Sequence, residues 1–174
     1  MRKYLVIGNP IEHSLSPLIH NYWMKKYHLV DSVYEKRKVE EKDLKNIIEE
    51  IRGDEIVGVN VTVPFKKLII PFLDKLDSIA EETQSVNTLF KSNNKIIGYN
   101  TDSSGFCDTI RKLYPMSSDS NMLLPLEDKH IFIIGAGGVT SSIISALKLQ
   151  GANNITLSNR TKEKANELQK LFPK

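Results

Sequence analysis

A single cysteine, Cys107, among 174 residues excludes an intrachain disulfide and leaves no basis for a cysteine metal cluster. Long apolar runs are missing too. Nothing approaches the length that spans a bilayer, and the N-terminal run Tyr4-Leu5-Val6-Ile7 is too short for a secretory signal. Charge of one sign is nowhere concentrated: 24 Lys and Arg against 21 Asp and Glu leave a net +3. The charges interleave, as in Glu35-Lys36-Arg37-Lys38 and Glu40-Glu41-Lys42-Asp43. With no basic block, nucleic acid is not an expected partner, and neither is a membrane. A hydrophobic fraction of 40% with 26% charged residues is that of an ordinary globular protein, for which a reducing cytoplasm is the expected home.

What the chain does have is concentrated in Asn60-Val61-Thr62-Val63-Pro64-Phe65-Lys66. Val57, Val59, Val61 and Val63 alternate with Gly58, Asn60 and Thr62, the period of a strand. Pro64 ends that strand and suits the first turn of a helix, so Lys66 is expected just beyond a strand's C-terminal edge. Open α/β sheets bind ligands there. A cation at a helix start gains nothing from the helix dipole, so Lys66 reads as a site residue.

Short apolar runs alternate with helical periods along the whole chain, which predicts an α/β fold. Strands are expected at Tyr4–Ile7, Ser32–Lys38, Ile56–Val63, Val86–Phe90 and Lys95–Tyr99, the last two joined at Ser92-Asn93-Asn94. Helices are expected from Ser16-Pro17 with Ser16 as N-cap, over Asp43–Arg52, from Pro64 to an interruption at Pro71, over Asp77–Thr83 and around Gly105–Leu113. Residues 1–113 form the expected substrate-binding and catalytic domain, built on a mainly parallel sheet. Tyr114–Asp128, with two prolines and three serines, is the expected linker. Residues 129–174 then give a buried strand at His130–Ile134, a glycine turn, a helix over Val139–Leu149, a strand at Ile155–Ser158 and a helix over Thr161–Leu171. That is one βαβα unit, the first part of a Rossmann dinucleotide-binding domain.

Gly135-Ala136-Gly137-Gly138 lies between an apolar strand and a helix, the setting in which a glycine turn holds a pyrophosphate. The sixth position of the fingerprint is Thr140 rather than glycine or alanine, which predicts looser helix–strand packing. The next strand runs into Asn159-Arg160-Thr161 rather than an acidic residue. A guanidinium and a hydroxyl there suit a ribose phosphate, so NADP is preferred over NAD. Taken alone, Arg160 reads more readily as a surface cation beside a Thr161 helix cap than as a phosphate ligand.

Three further polar segments sit at element edges: Ser14-Leu15-Ser16-Pro17 with His20-Asn21, Val86-Asn87-Thr88, and Asn100-Thr101-Asp102. Singly they read as helix caps, with Ser16 and Asp102 in that role, or as satisfied sheet amides. Together with Asn60–Lys66, the Gly135 turn and Asn159-Arg160-Thr161, they follow the order found in shikimate dehydrogenases, and the chain resembles that family from Met1 onward. The resemblance implies NADPH-dependent reduction of 3-dehydroshikimate to shikimate, in the route to chorismate and the aromatic amino acids. It implies that Ser14 and Ser16 hold the substrate carboxylate, that Thr62, Asn87 and Asp102 bind ring hydroxyls, and that Lys66 and Asp102 are the catalytic pair. It implies cofactor contacts from Gly135, Ala136, Gly137, Gly138, Val139, Asn159, Arg160 and Thr161, and no metal. A homodimer is left open. Serine at position 16 leans toward shikimate over quinate.

Two departures from the family pattern stand out. Family chains run well beyond Lys174, into a segment that would complete the cofactor sheet and supply a glutamine and a tyrosine to the substrate. Gln84-Ser85 also stands where the family prefers Gly-Ala, which predicts an altered helix exit. The alternatives are therefore a non-catalytic or weakly active shikimate-binding fragment, or a quinate/shikimate enzyme.

Overall fold

The computed structural model describes residues 1–114 and 124–173. By compactness the chain divides into two units, one formed by residues 1–80 and 86–99, the other by 81–85 and 100–174.

The first unit is built on a six-stranded sheet of order β2-β1-β3-β5-β6-β4. Its strands are β1 (Arg2–Gly8), β2 (Ser32–Lys38), β3 (Gly58–Val61), β4 (Lys75–Leu76), β5 (Thr88–Ser92) and β6 (Lys95–Tyr99). Strand β1 runs parallel to β2 and β3, and β4 parallel to β6, whereas β5 is antiparallel to both of its neighbours. The hairpin turn falls at Asn93-Asn94, both at positive φ, the conformation a two-residue hairpin loop demands.

Helix α2 (Leu44–Arg52) covers one sheet face with Leu44, Ile47, Ile48 and Ile51, each at most 2% exposed. They meet Leu5, Ile7, Val59 and Leu89 in the main core. Helix α1 (Ser16–Lys26) serves the opposite face, where Met24 packs against Val6, Ile11 and Tyr34. Strand β3 is shorter than its valine alternation predicts: Val59 and Val61 are buried, but Val57 and Val63 are exposed. Helix α3 (Phe65–Leu68) is a single turn beyond the cis Val63–Pro64 peptide, and Pro71 enters a short 3-10 turn, Ile70–Phe72.

In the second unit, α5 (Asp102–Leu113) packs on α6 (Thr140–Leu149), beside β7 (His130–Ile134), β8 (Asn154–Ser158) and α7 (Lys162–Leu171). The α5–α6 approach is close because α6 presents the buried small residues Ser141, Ser142, Ser145 and Ala146. Across it Ser103 Oγ donates to the Ser142 carbonyl at 2.8 Å and Cys107 Sγ to that of Ala146 at 3.6 Å. This packing draws α5 into the second unit, whereas the sequence reading keeps it with the first. Residues 115–123 of the expected linker lie outside the described residues. Leu126, from the same segment, is buried in the second unit, and its N–H donates to the Gln150 carbonyl at 3.0 Å.

β7 and β8 pair in parallel as a two-stranded sheet. The expectation of a buried β7 fails on one face. Ile131 and Ile133 pack on Ile110, Leu126 and Leu147, but Phe132 is 61% and Ile134 84% exposed, because helices cover only one side.

The altered helix exit is also visible. Helix α4 (Ser78–Thr83) ends at Gln84, which keeps the left-handed φ of +48° that favours glycine. Ser85 Oγ is buried and has no hydrogen-bond partner among the described residues. Restoring Gly-Ala through Gln84→Gly and Ser85→Ala should therefore stabilise the fold by about 1–2 kcal/mol, removing a strained φ and an unpaired hydroxyl. Thermal unfolding followed by circular dichroism checks it, and an unchanged or lowered midpoint would refute the account.

Candidate active site

Five of the six expected substrate and catalytic residues belong to the first unit, and the topology delivers them to one edge of its sheet. Strands β1 and β3 are parallel, so their C-terminal ends lie together: the Asn9 N–H donates to the Val63 carbonyl at 3.0 Å and the Thr62 N–H to that of Ile7 at 2.9 Å. Gly8 permits this approach, because a Cβ there would meet Thr62 Cγ2 at 2.6 Å. Antiparallel β5 begins at the same edge. Val61 N–H donates to the Asn87 carbonyl at 2.9 Å, and Val86 N–H to the Lys66 carbonyl at 2.9 Å. Thr62, Lys66 and Asn87 thus come from segments laced to one another by backbone hydrogen bonds.

Ser14 and Ser16 sit where the loop after β1 enters α1. The sequence reading makes Ser16 the cap, but the structure corrects this. Leu15 occupies the cap position with no side-chain cap bond, and Ser16 is the first helical residue. Ser14 Oγ accepts the Ser16 N–H at 3.3 Å, so the hydroxyl two residues earlier does that work.

Behind these residues lies a polar chain that sequence reasoning missed. The Tyr34 hydroxyl donates to Asn60 Oδ1 at 2.7 Å, and Asn60 Nδ2 donates to Thr88 Oγ1 at 3.0 Å and to the Asn87 carbonyl at 3.2 Å. Thr88 Oγ1 donates in turn to Asn87 Oδ1 at 3.0 Å. Tyr34 itself is held firmly. Asn21 Oδ1 accepts its N–H at 3.0 Å and Asn21 Nδ2 donates to its carbonyl at 2.8 Å, satisfying the open edge of β2. His20 stacks on its ring with centroids 4.1 Å apart and planes 4° from parallel. Burial pushes the Tyr34 phenol up to about 12, against a smaller opposing interaction with the Ser16 hydroxyl. Burial also holds the His20 imidazole below its ordinary value, so the two rings meet uncharged at neutral pH.

A cavity of roughly 550 Å³ opens on the same sheet face, lined by Tyr4, Trp23, Tyr27 and Phe90 and reaching His20, Tyr34, Asn60 and Thr88. Ser14, Ser16, Thr62, Lys66 and Asn87 do not line it.

Asp102 belongs to the second unit, as the first residue of α5. It is not the cap that the sequence reading offers as its dull role. Thr101 holds that position, and Asn100 Oδ1 accepts the N–H groups of Asp102 at 3.0 Å and Ser103 at 3.4 Å. Asn100, 4% exposed, also donates through Nδ2 to Thr83 Oγ1, the Ser85 carbonyl and Ser142 Oγ at 2.8–2.9 Å.

The glycine turn and the Asn159 turn leave the C-terminal ends of β7 and β8 side by side, Ile134 being in register with Ser158. Gly135 has φ +108°, and a Cβ on Gly135, Gly137 or Gly138 would meet nothing within 4 Å, so the turn offers open backbone. Helix α6 starts at Thr140, one residue after the Val139 start read from sequence. Gly138 and Val139 therefore carry N–H groups of the kind a helix start leaves for an anion. Thr140 Oγ1 donates to the Gly135 carbonyl at 3.3 Å, which ties the helix start back to the turn. Asn159 Oδ1 accepts the Ala136 N–H at 3.0 Å and its Nδ2 donates to the Thr161 carbonyl at 2.7 Å, tying the two turns together. Arg160 and Thr161 are exposed beside them. Open glycines, a helix start and an exposed guanidinium fit a dinucleotide carrying a ribose phosphate.

Residues 6–89 match the family model described as the shikimate dehydrogenase substrate binding domain, and residues 119–174 match that of shikimate/quinate 5-dehydrogenase. The chain belongs to the shikimate dehydrogenase family. A shikimate dehydrogenase (NADP(+)) of Pelagibacter ubique is 52% identical over 172 residues, covering 99% of this chain and 61% of that protein. The crystal structure of the Aquifex aeolicus shikimate dehydrogenase superposes with a TM-score of 0.86 at 39% identity, covering 99% of this chain and 61% of that one. A Thermus thermophilus shikimate 5-dehydrogenase, solved in complex with NADP(H) and shikimate, gives 0.81 at 28% identity with the same coverage. The chain thus spans about 60% of the length of the shikimate dehydrogenases it matches. Among the described residues no helix is long and apolar enough to cross a membrane, and no group of three or more His, Cys, Asp or Glu side chains is placed to hold a metal.

Proposed function

We propose that this chain carries the substrate-binding unit and the first part of the NADP-binding unit of a shikimate dehydrogenase, acting on shikimate and 3-dehydroshikimate. The observation that carries this reading is the convergence of Ser14, Ser16, Thr62, Lys66 and Asn87 at one edge of the first sheet. Two hydroxyls at a helix start suit a carboxylate, and a threonine and an amide suit ring hydroxyls. When bound, the nicotinamide supplies the hydride. Lys66 stabilises the oxyanion that develops at the ketone oxygen and gives it a proton, and Asp102 is the second member of the expected catalytic pair, binding a ring hydroxyl. Gly137, Gly138 and Val139 present backbone N–H groups to the pyrophosphate, Asn159 sets the spacing of the two turns, and Arg160 with Thr161 meets the ribose phosphate.

The test mixes the purified protein with shikimate and NADP⁺, following reduced-cofactor absorbance alongside calorimetry of each ligand alone. Turnover supports the full reading, binding of both ligands without turnover supports the site assignments alone, and binding of neither refutes both. Replacing Arg160 by alanine is expected to weaken NADP⁺ binding by roughly 10–100-fold while changing NAD⁺ affinity little, since a bidentate phosphate contact is lost. Equal losses for the two cofactors would remove Arg160 from phosphate recognition.

A further inference from the structure

We propose that Lys36 is a specificity-determining residue of the substrate site, its ammonium supplying the positive charge that the neutral hydroxyls of Ser14 and Ser16 lack. This rests on the reading above, in which those hydroxyls hold the substrate carboxylate. The placement follows from the parallel pairing of β1 and β2, in which Val6 is in register with Lys36 and Gly8 with Lys38. The C-terminal end of β2 therefore lies beside the loop that leaves β1. Lys36 shares a sheet face with Tyr34, two residues earlier, and this is the face that α1 serves. From there its ammonium donates to the Glu12 carbonyl. The Ser14 N–H donates to the Ile11 carbonyl at 3.0 Å, so residues 11–14 form one tight turn with Glu12 inside it. The ends of such a turn lie within about 7 Å of one another. The ammonium thus stands on the order of 10 Å from the Ser14 hydroxyl, about a Debye length at moderate salt.

The charges at this loop do not cancel. Glu12 supplies its carboxylate, whose Oε2 accepts the Ile11 N–H at 3.0 Å and whose Oε1 lies 3.7 Å from Lys38 Nζ. The backbone N–H groups of Glu12 and Ile11, with Lys38 adding to them, hold that carboxyl below the usual carboxylate range, so it is ionised at neutral pH. Lys38 answers that negative charge. Lys36 meets a carbonyl instead, which leaves its positive charge for the surroundings. Its neighbours on β2 are committed elsewhere, Glu35 to Lys3 at 3.7 Å and Arg37 to Glu50 at 2.8 Å. The Ser14 and Ser16 hydroxyls can donate to a carboxylate, an ester or an amide alike. An ammonium fixed beside them tells these groups apart, because the carboxylate alone carries a charge for it to attract.

The experiment compares shikimate with its uncharged methyl ester, by calorimetry, on the wild-type protein, Lys36→Met and Lys36→Arg. At low ionic strength Lys36→Met should weaken shikimate binding about threefold to tenfold, the range for one charge acting at this separation. In about 1 M salt, where the Debye length falls to about 3 Å, the loss should shrink below about twofold. Affinities for the methyl ester and for NADP⁺ should stay within about twofold throughout, and Lys36→Arg should restore shikimate binding. Equal losses for shikimate and the ester would reduce Lys36 to a clasp on the Glu12 carbonyl and overturn the proposal, as would a loss indifferent to salt. Shikimate binding by the wild type that Lys36→Met leaves unaltered overturns the role of Lys36 alone. A wild type that binds neither shikimate nor the ester overturns the reading of the hydroxyls, and the role of Lys36 with it.

Discussion

Lys66→Ala is expected to lower the rate of shikimate oxidation by roughly 10²–10⁴-fold, the range supplied by a positioned general acid–base group. Affinity for NADP⁺ should stay within about twofold, because every residue assigned to the cofactor belongs to the second unit and Lys66 to the first. Removing the ammonium takes away both the charge that stabilises the alkoxide and the proton it accepts, so the loss falls on kcat more than on shikimate affinity. Folding should survive. The Lys66 side chain is only partly buried, and alanine retains the backbone carbonyl that accepts the Val86 N–H. The measurement is initial rates of cofactor reduction with calorimetry of both ligands, in the longest form of the protein that turns over. A variant with the wild-type rate would take Lys66 out of the mechanism.

The largest stability loss is expected at Asn100. Asn100→Leu keeps the volume but removes one hydrogen-bond partner each from the Asp102 and Ser103 N–H groups, the Ser85 carbonyl and the hydroxyls of Thr83 and Ser142. Several of these groups are buried, and a buried polar group left unpaired costs about 1–3 kcal/mol. A loss of roughly 3–5 kcal/mol follows, which is a large share of the stability of a typical domain. Hydrogen exchange should show protection lost across the start of α5 and the adjoining turn of α6. Asp102 would lose its backbone anchor as well, so a stable Asn100 variant with unaltered protection would refute both the stability account and the view that Asn100 sets the Asp102 backbone.

Much of this was legible in the sequence because it is local. The valine alternation before Pro64, the glycine turn after an apolar strand, and the Asn93-Asn94 turn each specify backbone over a few residues. The order of the short polar motifs carried the family. What escaped was set by partners far along the chain. Tyr34 sits in a charged segment that reads as a half-exposed strand, and its importance comes from Asn21, 13 residues earlier, and Asn60, 26 residues later. Asn60 and Thr88 were in view within their motifs, yet no spacing rule ties them to one another. Asn100 hid for the same reason, its bonds reaching Thr83 on one side and Ser142 on the other. The exposure of Phe132 and Ile134 was not readable either, since an apolar strand looks the same whether one or both of its faces are covered.

The amide of Asn21 occupies both backbone groups that β2 would otherwise offer to a neighbouring strand at Tyr34. A strand from another molecule approaching that rim would have to evict a side chain anchored on α1, and it would also meet the charges of Glu35, Lys36, Arg37 and Lys38. One amide thus guards the rim against stacking between molecules and, by the same two bonds, keeps the phenol aimed inward. Losing it would leave that rim open to pairing with a second molecule.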